Sequence, residues 1–273
     1  MISPFAERKA KVLKDRAEGF ENQGLIRKAF KTFLQSEQLQ PEDPETLGHI
    51  GHIYQQYGHW HQSLDYCQRA SALAPEDKKV QRDLALAATA VKDWDLARQI
   101  WRAMGLPVKG QQGPVSIHFG MAPIRLMDGD DYEVVWAKRI DPVRAVITSV
   151  PFANKNFHYG DVVLHGSKTE ETQEAYGIQY PLFNALEMFE RSRFTTQQVT
   201  LELADPNDFY QLITLFCTSK HQMEDWTHNL LPMQDGLKKV IGVAVYDQQP
   251  IEPLFDIWQK QCQGKVLESA SIH

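Results

Sequence analysis

The chain has 273 residues, of which 42% are hydrophobic and 23% are charged, and its net charge at pH 7 is −6. This composition is too apolar for a disordered chain, and the length suffices for two domains with separate cores. No apolar run approaches the roughly 18 residues that a membrane-spanning helix needs, and the first residues lack an apolar signal segment. We therefore expect no membrane insertion and a cytoplasmic location.

Charge is divided unevenly along the chain. Residues 1–109 carry 16 Lys and Arg against 14 Asp and Glu, a net of +2, while residues 110–273 carry 13 against 21, a net of −8. A nucleic-acid surface requires a concentrated basic stripe, so we expect no nucleic-acid partner. The three cysteines, Cys67, Cys217 and Cys262, are too few and too scattered for a disulfide framework or a zinc site.

A spacing of 34 residues recurs through the first part of the chain, beginning with Pro41 and Pro75. Small residues recur at Ala17, Gly51 and Ala85, with bulky residues between them, which is typical of helices packed closely as hairpins. The matching columns are Leu13 with Leu47, Phe20 with Tyr54, Gly24 with Gly58, Ile26 with Trp60, Ala29 with Ser63, and Phe33 with Cys67. A third copy continues the last three columns as Trp94, Ala97 and Trp101.

The second copy reads Leu47-x2-Ile50-Gly51-x2-Tyr54…Ser63-x3-Cys67…Pro75. This pattern resembles the tetratricopeptide repeat (TPR), and the resemblance covers residues 10–107. It implies an α-solenoid of three helical hairpins, in which the first helix of each hairpin lines a concave, partner-binding face.

Periodicity and turn residues predict six helices in this segment. The run GLPVKGQQGP after Met104 is interpreted as a linker, so residues 1–109 form one predicted domain and residues 110–273 the next. Because no closing helix follows the third hairpin, we expect residues 114–273 to pack on it around Trp94 and Trp101. The predicted helices are 10–23, 26–39, 44–57, 60–73, 78–91 and 94–104.

From Pro114 the apolar period changes to two, which predicts short strands in an antiparallel meander or small barrel. The turns are predicted at 128–131 and at Asp141-Pro142. Both faces of the meander carry apolar residues, so we expect Trp136 to be buried under later helices and its replacement by Ala to cost about 3–5 kcal/mol. The predicted strands are 115–119, 124–126, 132–140, 143–150 and 161–164.

The segment 135–166, with its W…KR…PF…YGDVV arrangement, is similar to an uncharacterised bacterial domain family. This resemblance implies no activity. It favours a bacterial origin for the second domain.

A further part begins near residue 194, where the second domain is a candidate for subdivision. Two β-to-α passes predict an α+β layer of the ferredoxin-like type. Trp226, in the acidic stretch EDW, is interpreted as a candidate for exposure. The predicted elements are a strand at 197–204, a helix at 207–217, a helical stretch around 223–228, a strand at 239–246 and a helix at 252–262.

Four residues of the second domain are candidates for a catalytic metal, namely His118, His158, Asp161 and His165. Their spacing matches no metal-binding signature, and Asp161 follows Gly160 where turn chemistry alone explains it. The pairs Ser116 with His118 and Cys217 with His221 lie in no known nucleophile context. We therefore predict no metal, cofactor or catalytic residue.

The candidate binding site is a basic and hydrogen-bonding strip on the first helices of the hairpins. Members of the resembled family hold a partner's terminal carboxylate at positions that correspond here to Lys14, Glu18, His49, Lys79 and Asp83. Glu18 and Asp83 would repel a carboxylate at two of these positions, so we do not expect a receptor for such terminal carboxylates. Because the same face nevertheless gathers basic and hydrogen-bonding side chains on an acidic protein, we expect it to bind an extended or helical acidic segment of another protein. The predicted strip consists of Lys11, Lys14, His49, His52, Gln56, Lys79 and Arg82.

Three functional hypotheses remain open at this point. The first is an interaction or scaffold protein that binds an acidic peptide segment of another protein in the groove. The second is an enzyme with a catalytic, possibly metal-dependent, site in residues 114–273. The third is a regulator that binds a small ligand between the sheet and helices of the second domain.

Overall fold

A computed structural model of the chain describes residues 3–152, 156–230 and 237–272. The chain divides into two compact units, Met1–Ile117 (unit 1) and His118–His273 (unit 2). Because residues 110–117 contain no charged residue, the net charges of +2 and −8 also hold for these units. In the part of the chain that the structure describes, no helix is both long and apolar enough to cross a lipid bilayer.

Unit 1 is formed by three consecutive helical hairpins, as the 34-residue period predicts. The turns inside the hairpins use a left-handed residue at the same column of each repeat, namely Gly24, Gly58 and Lys92, with φ of 72°, 70° and 63°. Asp side chains cap the starts of three of the helices. The helices are α1 (Pro4–Asn22), α2 (Ile26–Leu39), α3 (Pro44–Gln56), α4 (Trp60–Leu73), α5 (Lys78–Ala90) and α6 (Trp94–Ala103).

Small residues allow the helices of a hairpin to approach closely. Ala17, Gly51 and Ala85 are buried, and so are Ala29, Ser63 and Ala97 in the second helices. At Gly51 a Cβ atom would come within 2.8 Å of Cys67 Sγ, so the glycine sets the spacing of α3 and α4. Small residues therefore recur at the same position of the three copies because larger side chains there would force the paired helices apart.

The segment after α6 is an ordered part of unit 1, not a free linker. Arg98, which is buried, donates from Nη1 to the carbonyl of Lys109 at 2.8 Å and from Nη2 to the carbonyl of Gly113. Val108 and Val115 are buried. Residues 105–117, called the strap below, thus take the place of the missing closing helix at the end of the array.

The first half of unit 2 is a closed five-stranded barrel. Neighbouring strands are antiparallel except where β5 returns beside β1 in parallel, with Ile124 opposite Phe183. The barrel core is made of inward-facing apolar residues, including Leu126, Ala145 and Val163. The strands are β1 (Met121–Asp128), β2 (Asp131–Arg139), β3 (Arg144–Ile147), β4 (Val162–Ala175) and β5 (Ile178–Glu190).

The expectation that Trp136 is buried is wrong. On β2 the residues that face the barrel core are Val135 and Ala137, so Trp136 lies on the outer face and is half-buried. Its ring meets the Tyr180 ring edge-on, with centroids 4.9 Å apart. The strand period of two was correct, but the sequence carried apolar residues on both faces and did not identify the inner one.

Strands β4 and β5 extend beyond the barrel as a two-stranded ribbon, called the arm (residues 168–181). Its pairs include Gln173 with Tyr180 and Ala175 with Ile178. The two residues of its turn, Tyr176 and Gly177, are both left-handed, with φ of 52° and 75°. Left-handed backbone costs a non-glycine residue about 1 kcal/mol, and the Tyr176 side chain is fully exposed.

The second half of unit 2 is a four-stranded antiparallel sheet of order β7-β8-β6-β9. With α7 and α9, and apart from a further helix of four residues, it follows the order β-α-β-β-α-β, which agrees with the predicted α+β layer of the ferredoxin-like type. Helices α7 and α9 cover one sheet face, where Leu212, Phe216 and Trp258 are buried. The elements are β6 (Phe194–Glu202), α7 (Asn207–Cys217), β7 (Gln222–Asp225), α8 (Thr227–Leu230), β8 (Lys238–Tyr246), α9 (Glu252–Gln261) and β9 (Lys265–Ile272).

Three sequence predictions in unit 2 differ from the structure. The predicted strand 115–119 has no strand structure, and its first three residues belong to the strap. The stretch around 223–228 is an edge strand, β7, followed by a helix of four residues. The β4–β5 hairpin and β9 were not predicted, because register shifts interrupt the alternation in β4 and β9 is largely exposed.

Trp226 joins the barrel to the other face of the sheet and is buried, in contrast to the expected exposure. Its Nε1 donates to the carbonyl of Val150 at 3.3 Å, and its ring meets the Phe152 ring edge-on at 5.3 Å. The ring lies against Gly242, where a Cβ atom would be only 2.0 Å away. Both faces of the sheet are therefore covered within unit 2.

Candidate functional site

The predicted strip lies on neighbouring first helices, but one of its cations is already engaged inside the array. Lys14 Nζ on α1 bonds Glu45 and lies 3.4 Å from Asp43 Oδ2 at the start of α3. Burial alone would lower the pKa of Lys14, but the bond to Glu45 and the charges of both carboxylates outweigh it and raise that pKa. Lys14 therefore holds α1 against α3.

His49 is engaged in the same way. Its Nδ1 lies 2.8 Å from Glu21 Oε2, its Nε2 lies 3.7 Å from Glu18 Oε1, and its ring stacks on Phe33 at 4.7 Å. The hydrogen bond with His49 lowers the pKa of Glu21 below its usual value, although burial opposes this. Glu18 and Glu21, the two acidic residues of α1 that would repel an acidic ligand, thus both contact His49 on α3.

His52 and Asp83 continue the network from α3 to α5. His52 Nε2 lies 3.2 Å from Gln56 Nε2, and Gln55 Nε2 donates to the carbonyl of Asp83 at 2.9 Å. Asp83 is buried, and this burial raises its pKa, while the charges of His52 and Arg82 oppose the shift. The carboxyl that would most oppose an anion on α5 is therefore withdrawn from the surface.

Three strip cations remain available. Lys11 and Lys79 are exposed and Arg82 is half-buried, and none of them takes part in an ion pair among the described residues. Lys11 also borders a cleft of about 500 Å³ together with Arg8, which the sequence reasoning missed because α1 begins six residues before its predicted start. The cleft is lined by Pro4, Glu7, Arg8, Lys11, Lys14, Gln40 and Asp43.

The structure does not bring the four metal candidates of unit 2 together as one group of ligands among the described residues. His118 is exposed, whereas His165 is buried and its Nε2 accepts a hydrogen bond from Arg139 Nε at 3.3 Å. Asp161 accepts from the backbone N–H groups of His158 and Ser192, at 2.8 and 2.7 Å. Across residues 3–152, 156–230 and 237–272, no three His, Cys, Asp or Glu residues are grouped so as to hold a metal ion.

His158 borders the other cleft of interest, about 440 Å³ between the start of β6 and the loop before α9. Its Nδ1 lies 3.0 Å from Thr196 Oγ1, and burial lowers the pKa of this histidine. No Lys or Arg is found among the described residues that line this cleft. In the other pair considered from the sequence, Cys217 is exposed and His221 Nδ1 accepts from the backbone of Tyr246 at 3.1 Å.

Two carboxylates hold the loop that carries Val150 and Phe152. Glu224 Oε2 accepts from the backbone N–H of Val150 at 2.6 Å, and Glu133 Oε1 accepts from that of Phe152 at 2.7 Å. Burial raises the pKa of Glu224, the charge of Glu133 raises it further, and the bond from Val150 opposes both. The contact between barrel and sheet therefore contains a carboxyl group that resists ionisation.

Replacing Glu224 by Gln is expected to flatten the pH dependence of stability. Because the folded-state pKa lies above the unfolded value of about 4.3, Glu224 contributes stability below about pH 4 that is lost as the pH rises through the folded pKa. Gln keeps an acceptor for Val150 and does not ionise. In urea unfolding from about pH 4 to pH 7, the free energy of unfolding of the variant should rise relative to that of the wild type. Glu202→Gln, at an exposed position, is the control and should show no such change. A difference between variant and wild type that stays constant across this range would contradict the prediction.

The three hairpins of unit 1 define a tetratricopeptide-type array, and solved structures with similar hairpins are found. The first TPR of Spaghetti (RPAP3), bound to the HSP90 peptide SRMEEVD, shows 20% identity over 35% of this chain and 76% of that chain, with a TM-score of 0.34. The Arabidopsis OM64 TPR domain shows 12% identity over 36% and 81%, with a TM-score of 0.34. The N-terminal domain of stress-induced protein-1 from C. elegans shows 18% identity over 37% and 85%, with a TM-score of 0.33.

No protein-family model matches the chain, and no curated protein matches it.

Proposed function

We propose that this protein is an interaction protein whose array binds an acidic segment of a partner along the face of α1, α3 and α5. One observation carries the proposal. Beside the strip, Glu18, Glu21 and Glu45 contact His49 or Lys14 and Asp83 is buried, whereas Glu7 stays exposed next to Lys11. Lys11 and Lys79 are exposed without an ion pair among the described residues, and Arg82 is half-buried. The strip residues therefore offer a partner more positive than negative charge.

Such a site would act through charge and extended contact. Lys11 and Lys79 lie at opposite sides of the face, so an acidic segment that crosses it can meet both. Exposed charge pairs are screened within about 8 Å at physiological ionic strength, so binding should weaken as salt rises. The ion pairs of Lys14 and the contacts of His49 with Glu18 and Glu21 hold the underlying helices in place before any partner arrives, which limits the ordering cost of binding.

The test uses the full-length chain and a fluorescent peptide rich in Glu as the probe. Wild-type protein should raise the anisotropy of this peptide, and an uncharged peptide of equal length rich in Gly and Ser should stay unbound. The double variant Lys11→Glu/Lys79→Glu should bind the acidic peptide at least about tenfold more weakly, which corresponds to about 1.4 kcal/mol. Lys14 is left unchanged, because a carboxylate there would face Asp43 and Glu45 and disturb the array itself.

The matched control is Arg27→Glu/Lys31→Glu on α2, which changes the net charge equally on exposed residues of a second helix. It should bind the peptide as the wild type does. Equal weakening by both double variants would show a response to net charge alone and would refute the assignment to this face.

A further inference from the structure

The turn at the end of the arm contains Tyr176, a residue that the fold of the arm does not require. A two-residue hairpin turn with left-handed backbone at both positions favours Asn-Gly, yet the arm has Tyr176 before Gly177. The tyrosine side chain is fully exposed, so it makes no contact that would offset this conformation. Strained residues of this kind accumulate at binding sites, and an exposed tyrosine is well suited to a contact with another protein.

The arm is also acidic. Residues 168–181 contain Glu170, Glu171 and Glu174 against Lys168, a net of −2. Glu171 is paired with Arg125, which fixes the base of the arm to the barrel. Glu170 and Glu174 remain exposed, and Gln179 donates to Glu174 at 2.9 Å across the ribbon. The outer part of the arm thus presents negative charge beside an aromatic tip.

We propose that the arm is the acidic segment that the array binds, and that it binds the array of a second copy of this chain. The inference rests on the proposed function of the array. Charge complementarity supports it, since unit 1 has a net charge of +2 and unit 2 a net charge of −8. The Tyr176 side chain at the tip is fully exposed and so is available for such a contact.

The dimensions of the two surfaces agree. The eight arm residues 168–175 of β4 span about 27 Å at about 3.4 Å per residue. Three helices side by side at about 10 Å spacing place the axes of α1 and α5 about 20 Å apart. The arm is therefore long enough to cross the face from Lys11 to Lys79. An arm in one groove uses two different surfaces, so the copies associate as a reciprocal dimer or as an open chain.

The decisive experiment is a charge exchange between full-length variants, followed by sedimentation velocity over a range of concentrations. One variant carries Lys11→Glu/Lys79→Glu in the array and the other carries Glu170→Lys/Glu174→Lys in the arm. The wild type should associate as its concentration rises, and each variant alone should associate at least about tenfold more weakly. The equimolar mixture should regain association, because each altered surface then meets one of opposite charge.

A second variant tests the tip. Tyr176→Asn suits the left-handed turn, so its thermal midpoint should equal or exceed that of the wild type, while its self-association should weaken at least about tenfold. A wild type that stays monomeric, a mixture that does not recover, or a Tyr176→Asn variant that associates normally would each overturn the arm proposal. The acidic peptide probe separates the two ideas: if it still binds the array, the proposed function stands without the arm, and if it does not bind, both fail.

Discussion

Replacing Trp226 by Ala should lower the free energy of unfolding by about 3–5 kcal/mol, the range for a large aromatic side chain removed from a core. The ring is 2% exposed and fills the space between the loop at Val150 and the glycine of β8, Gly242. Gly242 has no side chain that could move into the cavity left by the ring. The indole bond to the carbonyl of Val150 is lost as well.

The matched control for this change is Trp136→Ala in the barrel. Trp136 is half-buried on the outer face, and its pair with the Tyr180 ring is worth about 1 kcal/mol. Urea unfolding followed by far-ultraviolet circular dichroism compares the two, since neither variant then depends on tryptophan fluorescence. A loss at Trp136 as large as that at Trp226 would show that the barrel faces have been assigned incorrectly.

Replacing Asp141 by Ala should be comparably damaging, at about 3–5 kcal/mol, since it removes one partner of a buried ion pair. The carboxylate is fully buried and accepts from the backbone N–H groups of Val143 and Arg144, at 2.8 and 2.6 Å. It also accepts from Arg144 Nε at 2.6 Å. The substitution would remove all three bonds and leave the Arg144 charge in the interior without this carboxylate.

The companion variant is Asp141→Ala/Arg144→Met, which removes the buried charge together with its partner. Its free energy of unfolding should lie above that of Asp141→Ala alone, because the buried Arg144 charge that has lost the Asp141 carboxylate accounts for much of the damage. Chemical denaturation of the wild type, the single variants Asp141→Ala and Arg144→Met, and the double variant measures the coupling. If the double variant is less stable than the single one by the full effect of Arg144→Met alone, the two side chains act independently.

The helices of the array could be predicted closely because the same residue pattern occurs three times in the sequence. Three copies of one residue pattern gave the helix ends to within one residue, apart from the start of α1, which lies before the first repeat column. The strap was missed because its structure depends on Arg98, whose bonds go to backbone carbonyls that any residues would offer. A residue pattern shows which side chains are present, but the partners of Arg98 are backbone carbonyls, which every residue has.

Unit 2 was predicted less well for a different reason. Its turns at 128–131 and at Asp141-Pro142 carried clear residue signals and are present, whereas the faces of β2 and the position of Trp226 depend on elements distant in sequence. The same limit applies to the candidate site. The strip residues were identified as a set, but the pairing of Lys14 with Asp43 and of His49 with Glu21 crosses from α1 to α3 and could not be read from spacing.

The strand order of unit 2 also has a consequence for the way in which the chain is made. Each hairpin of the array closes within a single repeat, so unit 1 can form while later residues are still being synthesised. In unit 2 the inner strand β6 pairs with β9, which places Thr196 opposite Ile272. Until residues 265–272 arrive, β6 has an open edge, and an open edge is where strands of different chains join by mistake. The barrel loop, which reaches the sheet through Trp226, covers one face of these strands but leaves that edge exposed.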